Sequence, residues 1–189
     1  MNSPIALKTP LIDQNIAGLR AGDRVLLSGV IYTARDAAHK RLVDTLRNGR
    51  PLPLPLEGQV IYYCGPAPAR PGYVIGPAGP TTSSRMDAYT IPLLDAGLKG
   101  MIGKGTRNQS IRVAISRFRA IYLVAVGGAA ALLSQRITKM DLIAFEDLES
   151  EAIYRLEVLD MPLVVAYDIS GGNLYQDGIA SYQDQEMLP

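Results

Sequence analysis

The chemistry-bearing residues of this 189-residue chain fall in three short stretches, each with a glycine or threonine turn and a cation. The richest is Gly79-Pro80-Thr81-Thr82-Ser83-Ser84-Arg85-Met86-Asp87. A helix starting at Thr81 or Thr82 offers unpaired backbone N–H groups, the positive end of a dipole, several hydroxyls and a guanidinium. Arg85 follows Thr81 by about one helical turn, so both side chains can face one ligand. A plain capped surface helix with Arg85 in water accounts for the same residues, because capping is the commoner use of Ser and Thr there. The other two stretches carry Thr33 with Arg35, and Gly103 with Lys104. Gathered at one sheet edge, two Arg and one Lys suit a small dicarboxylate, since an Arg fork binds a carboxylate through two hydrogen bonds. Phosphate is the competing anion, yet Gly103-Lys104-Gly105-Thr106 lacks the GxxxxGK[ST] run of a P-loop and no GxGxxG occurs.

Other titratable residues stand close to these cations. His39, the sole imidazole, follows Arg35 by one helical turn, and any His-dependent acid/base chemistry in this chain has to use it. A structural or supporting role suits it better, because it sits a turn beyond the helix start that would meet a ligand. Asp36 and Asp87 each closely follow an arginine of the candidate site, where they orient a guanidinium or pair with another base. The single cysteine, Cys64, reads as a buried strand-end residue. Alone it forms no internal disulfide and holds no zinc or iron-sulfur centre.

The totals narrow the partners. Apolar residues make up 48% of the chain and the formal charge is +1, which supplies no general field for nucleic acid or a membrane surface. No apolar run reaches the roughly 18 residues of a spanning helix, and the first ten residues lack a signal-peptide pattern. A soluble protein of a reducing cytoplasm is expected.

Stepping outward to the elements, residues 1–22 read as an extended lead-in closed by the turn Ala21-Gly22-Asp23. Residues 24–32 read as a buried strand with a bulge at Gly29. Thr33 is the expected cap of a helix to about Arg47, with Ala38, Leu42, Val43 and Leu46 on one face. The alternating prolines at 51–56 impose an extended segment whose leucines can pack. Strands are expected at 59–64, 73–75, 99–102, 120–126 and 140–145, and a strand pair over 155–168 broken at Met161-Pro162. Helices are expected from Thr82 to about Ala96, with Gly97 just past its end, from a Thr106 cap with Ile111, Ala114, Ile115 and Phe118 inward, and from Gly127-Gly128 to about Gln135. Arg112, Arg117 and Arg119 read as a solvated helix face, and the polar residues after 175 as a frayed tail. Strands alternating with short helices indicate an α/β fold with a mixed sheet.

Residues 29–41 (GVIYTARDAAHKR), Tyr62-Tyr63-Cys64-Gly65-Pro66, residues 79–87 (GPTTSSRMD) and Gly103-Lys104-Gly105 together resemble the C-terminal domain of class I iron-sulfur fumarases. In two-component enzymes this domain is a separate β subunit, and the L-tartrate dehydratase β subunit is a close relative. The resemblance runs from about Asp23 to Asn173 and includes Gly127-Gly128-Ala129-Ala130. Ala37-Ala38 before His39, and Asp87 after Arg85-Met86, resemble the fumarases more than the tartrate dehydratases. The resemblance implies a swivelling β/β/α domain over residues 23–175, flanked by the lead-in 1–22 and a tail 176–189. It further implies reversible hydration of fumarate to L-malate, with Arg35, Arg85 and Lys104 binding the dicarboxylate and Thr81 as the catalytic residue. Asp36, His39, Thr82 and Asp87 then support them from behind. A [4Fe-4S] cluster is implied on a partner α subunit, with no metal held by this chain, in a hetero-oligomer with two copies of each subunit. On that reading the chain is inactive alone. A dicarboxylate-binding module without catalysis is the alternative from a different class.

Overall fold

The computed structural model describes residues 3–126 and 128–186. The first half of the chain runs β1 (Ile5–Lys8), α1 (Asp13–Ile16), β2 (Arg24–Thr33), α2 (Asp36–Arg47), β3 (Val60–Tyr62) and, after a long loop and a 3-10 turn at Ser83–Met86, α3 (Asp87–Asp95). The second half runs β4 (Gly100–Gly103), α4 (Gln109–Arg117), β5 (Ile121–Val124), α5 (Ala130–Ser134), β6 (Ile137–Ala144), a 3-10 segment at Glu146–Glu151, β7 (Ile153–Tyr167) and α6 (Leu174–Glu186).

The strands join in the order β1-β2-β3-β4-β5-β7-β6, and β2 also pairs with β7, so five strands close into a barrel-like ring. Neighbours from β1 to β5 are parallel, whereas β7 runs antiparallel to β2, β5 and β6. The expected mixed sheet with short helices is present. Parallel neighbours require crossovers: α1 lies in the one from β1 to β2, and α2, α3 and α4 provide the other three on one face. Period-2 alternation then sorts each strand's side chains between two cores. In β3, Val60 and Tyr62 belong to the cluster with Leu27, Ile102, Leu123 and Val165, on the face turned into the closed sheet. Ile61 and Tyr63 belong to the cluster under the helices, with Ala38, Leu42, Leu93, Met101 and Ile115. Full burial of a side chain such as Leu42 is worth about 1.5–3 kcal/mol, and it fixes which way α2 faces.

Several elements depart from the sequence reading for local physical reasons. Residues 73–75 form no strand: β3 already has β2 and β4 on its two edges, so Tyr73 and Val74 stay exposed in a loop. β7 is continuous through Pro162. That residue stands where one edge of β7 has left β6, after Val158, and has not yet met β5, at Val164. Thr33 ends β2 instead of capping α2; its hydroxyl donates to the Ala152 carbonyl and accepts from the Tyr154 N–H. Asn108, not Thr106, caps α4 through its side-chain oxygen, which accepts the Ile111 N–H at 3.0 Å. Arg112 is half-buried and Arg119 pairs with Asp13, which leaves Arg117, its guanidinium over the Phe118 ring, as the exposed member of the expected arginine face without an ion pair among the described residues.

The lead-in is not merely extended, since β1 pairs along β2 from Ile5 opposite Val25. The polar stretch after 175 is helical, started by Asn173, whose side-chain oxygen accepts from the Tyr175 and Gln176 N–H groups. Gly29 does sit at a register shift with φ +114°, and Gly97 follows α3 with φ +102°. Gly127, expected to open the helix that becomes α5, lies outside the described residues, as do 187–189 of the expected tail.

Candidate active site

Parallel register decides where the three cation-bearing stretches meet. Thr33 lies opposite Tyr62, Tyr62 opposite Ile102, and Ile102 opposite Leu123. The carboxyl ends of β2, β3, β4 and β5 therefore form one row, the edge at which ligands of open α/β sheets bind. Arg35 lies just past the end of β2 and Lys104 just past the end of β4. The Thr81 N–H donates to the Tyr63 carbonyl at 2.7 Å, which carries the Thr81 stretch back to the end of β3.

Two linkages build the site from those positions. Asp36 stands between the two arginines: Arg85 Nε donates to its Oδ1 at 2.8 Å, and Arg35 Nη2 is 3.8 Å from its Oδ2. Arg35 Nη2 also lies 3.5 Å from Glu151 Oε1, while Glu151 Oε2 accepts the Ala37 N–H at 2.9 Å and so serves as the missing cap of α2. Arg35 Nε and Asp36 Oδ2 are buried with no hydrogen-bond partner among the described residues. Gly65 gives the Arg35 side chain its room, because a Cβ there would come 3.0 Å from Nη1 and 2.8 Å from the Ser150 carbonyl.

The second linkage joins Lys104 to the Thr81 stretch through the backbone. Ser83 N–H donates to the Lys104 carbonyl at 3.0 Å, and Lys104 N–H reaches the Ser83 hydroxyl at 3.1 Å and the Thr81 carbonyl at 3.3 Å. Thr82 and Lys104 form an isolated parallel bridge. The close approach needs Gly103, since a Cβ there would sit 1.9 Å from Ser83 Oγ. Lys104 is exposed and makes no ion pair with a described residue, and Arg85 is half-exposed. The hydroxyls of Thr81, half-buried, and Thr82, exposed, make no hydrogen bond to a described residue. The result is a pair of guanidiniums partly neutralised by Asp36, with the Lys104 ammonium and the Thr81 and Thr82 hydroxyls, none bonded to a described residue, on stretches that meet at the same strand-end edge. Such an edge can grip a small dianion.

The supporting residues take one of the places the sequence reading left open to each. His39 is fully buried, and its Nδ1–H donates to the Arg35 carbonyl at 2.9 Å. Burial lowers its pKa to about 4, so the ring is neutral at pH 7, and it stands edge-on to Tyr63. Asp87 does not reach Arg85. It turns inward to Arg107, whose side chain is wholly buried, and accepts the Asn108 N–H at 2.9 Å. Cys64 is buried, and the loss of solvation pushes its thiol far above the usual range. Sequence reasoning missed Ser83, Glu151 and Arg107. Ser83 was visible inside the GPTTSSRMD run. Glu151 had no local signal, standing 114 residues from its partner Ala37. Arg107, three residues past Lys104, is an ordinary loop residue until its burial is known.

Fold and site together define an α/β domain, closed by a mixed sheet, that presents cations at the ends of its parallel strands. The family described as the fumarase C-terminus matches residues 1–178, and the chain belongs to that family. It is 35% identical over 93% of its length to fumarate hydratase 2 of Leishmania major, and 37% identical over 81% to the aerobic class I fumarate hydratase of Escherichia coli K12. It spans about a third of the length of those fumarate hydratases, 32% and 28% respectively. A protein named as a putative L(+)-tartrate dehydratase subunit beta, from Methanocaldococcus jannaschii, is 34% identical and is matched over 89% of its own length.

Proposed function

We propose that this chain is the β component of an iron-sulfur hydro-lyase that interconverts fumarate and L-malate. The observation that carries the reading is the joining of Arg35 to Arg85 through Asp36, and of Lys104 to the Thr81 stretch through Ser83, at one strand-end edge. Removing a proton from the carbon beside a carboxylate builds negative charge on that carboxylate. Fixed cations aimed at it lower the barrier as the charge grows. Arg35, Arg85 and Lys104 together supply those cations and bind the two carboxylates of the substrate. Thr81 is the proton-transfer residue. Its hydroxyl is a weak base on its own, so a neighbouring group has to activate it, for which a carboxylate of the partner chain is proposed, or else it positions a water.

The cluster that the family resemblance implies does not fit a donor set in this chain. Cys64 is the sole cysteine and lies buried as a neutral thiol. Among the described residues no three His, Cys, Asp or Glu side chains converge as a metal site. As part of the same proposal, the cluster belongs to a cysteine-bearing α chain, with two copies of each subunit in a cytoplasmic assembly. Residues 23–175 act as the swivelling body that closes over that chain, with β1 carried along in the same sheet. Among the described residues no helix is long and apolar enough to cross a membrane.

The L-tartrate dehydratase β reading is favoured by one observation, the match along nearly the whole of a relative bearing that name. Anaerobic co-expression with the α chain, followed by assays with L-malate, fumarate and L-tartrate, separates the two. Fumarate hydration by the assembled pair, with none by either chain alone, is expected. Hydration by this chain alone without iron overturns the subunit reading. Arg85→Ala in the assembled enzyme should lower kcat/KM about 100- to 1000-fold without loss of subunit association. Near-normal turnover would remove Arg85 from the site.

A further inference from the structure

The Arg107 side chain is fully enclosed, with 0% exposed against 7% for its partner Asp87. Burying a guanidinium costs on the order of several kcal/mol unless its donors are matched, and here each of its three nitrogens has a partner. Its Nε donates to Asp87 Oδ1, Nη2 donates to Thr90 Oγ1 at 2.6 Å, and Nη1 lies 3.4 Å from the Tyr63 hydroxyl. The guanidinium carbon is 5.4 Å from the Tyr63 ring centroid and 5.3 Å from that of Tyr122. Its donors all point inward, so the group is unsuited to touching a ligand.

Its partners are the roots of the candidate site. The Tyr63 carbonyl holds the Thr81 N–H. Asp87 is two residues beyond Arg85, and Arg107 is three beyond Lys104. The Tyr122 hydroxyl lies 2.8 Å from both the Ser83 hydroxyl and the Gly105 carbonyl, and Ser83 bonds Lys104 in both directions. One cation thus ties the end of β3, the start of α3, β5 and the loop after β4. Apolar pairs of similar volume often replace a buried ion pair at little cost in stability, here less the Asn108 N–H bond that Asp87 accepts. What it lacks is the directional bonding that sets the Thr81, Arg85 and Lys104 stretches relative to one another.

We infer that Arg107 is a positioning residue for the candidate site, its buried fork holding the Thr81–Arg85 and Lys104 stretches in a single relative placement. The inference rests on the reading of that site as the dicarboxylate grip. The test compares wild type with Arg107→Met/Asp87→Leu, in which both charges leave together, and with Arg107→Lys, which keeps the charge and loses the fork. Amide hydrogen exchange at Ser83 and Lys104 is read in the free full-length chain, alongside thermal unfolding, and kcat/KM for fumarate is read in the assembled enzyme. The double variant is expected to unfold near the wild-type temperature while protection at those two amides falls about tenfold. Its kcat/KM is expected to fall about 100-fold, the cost of a small misplacement in a catalytic constellation. Wild-type protection in a folded double variant overturns the inference. Should that variant fail to fold, Arg107→Lys decides in the same way: reduced protection supports positioning and wild-type protection refutes it. An assembled wild-type enzyme inactive on fumarate and on tartrate sinks the functional reading instead, and the exchange measurement still judges Arg107.

Discussion

Replacing His39 with Asn should remove one acid-sensitive step from the stability of this protein. Burial holds the ring's pKa at about 4 in the folded chain, against the ordinary 6.5 when unfolded. Between those values the unfolded chain takes up a proton that the folded chain refuses. Stability contributed by the neutral ring is therefore complete above pH 6.5 and is lost as pH falls toward 4. At 1.36 kcal/mol per pH unit the whole loss is about 3 kcal/mol, of which about 2 kcal/mol falls between pH 7 and pH 5. Asn keeps an amide donor for the Arg35 carbonyl, now served by Nδ1–H at 2.9 Å, but does not titrate. Urea unfolding of both proteins at pH 7 and pH 5 measures the difference, since carboxylate titrations common to the two cancel. The variant is expected to be less stable at pH 7, having lost its ring contact with Tyr63. Its deficit should shrink by about 2 kcal/mol at pH 5. An equal gap at the two pH values would refute the claim that His39 is buried neutral.

Three further outcomes follow from named contacts. Gly103→Ala places a Cβ 1.9 Å from Ser83 Oγ and 3.0 Å from Tyr63 Cδ2, so it should cost about 1–3 kcal/mol in urea unfolding; unchanged stability would mean the two stretches do not approach so closely. Glu151→Ala removes the oxygen that accepts the Ala37 N–H and should cost about 1 kcal/mol, whereas Glu151→Gln keeps an acceptor and should recover most of it; equal losses would deny the capping role. Cys64, buried and held as a neutral thiol, should resist a thiol-specific disulfide reagent in the native protein and react fully in denaturant, with rapid native labelling as the contrary result.

Much of the fold was legible because it depends on local pattern. The apolar strands around 24–32, 59–64 and 120–126, the amphipathic face of α2, the glycine after α3 and the bulge at Gly29 all follow from periodicity and backbone freedom. The misreadings share a different cause. Whether Tyr73-Val74-Ile75 pairs depends on whether β3 has a free edge, and whether Pro162 breaks a strand depends on which neighbours β7 meets there. Thr33 lost the capping role because β7 brings Ala152 and Tyr154 to its hydroxyl.

The same division runs through the site. Residue type and spacing singled out Arg35, Thr81, Arg85 and Lys104 as the candidates on which the proposed function rests, because each stands within a few residues of a glycine or threonine turn. The family was equally visible in the strings around them. Which acid serves which base was decided only by tertiary structure. Asp36 joins Arg35 to Arg85, Asp87 is claimed by buried Arg107, and Glu151 caps a helix more than a hundred residues away. Backbone propensity acts over a turn or two of chain, while an ion pair is set by distance and desolvation in space. Only the closed sheet brings those partners within reach of one another.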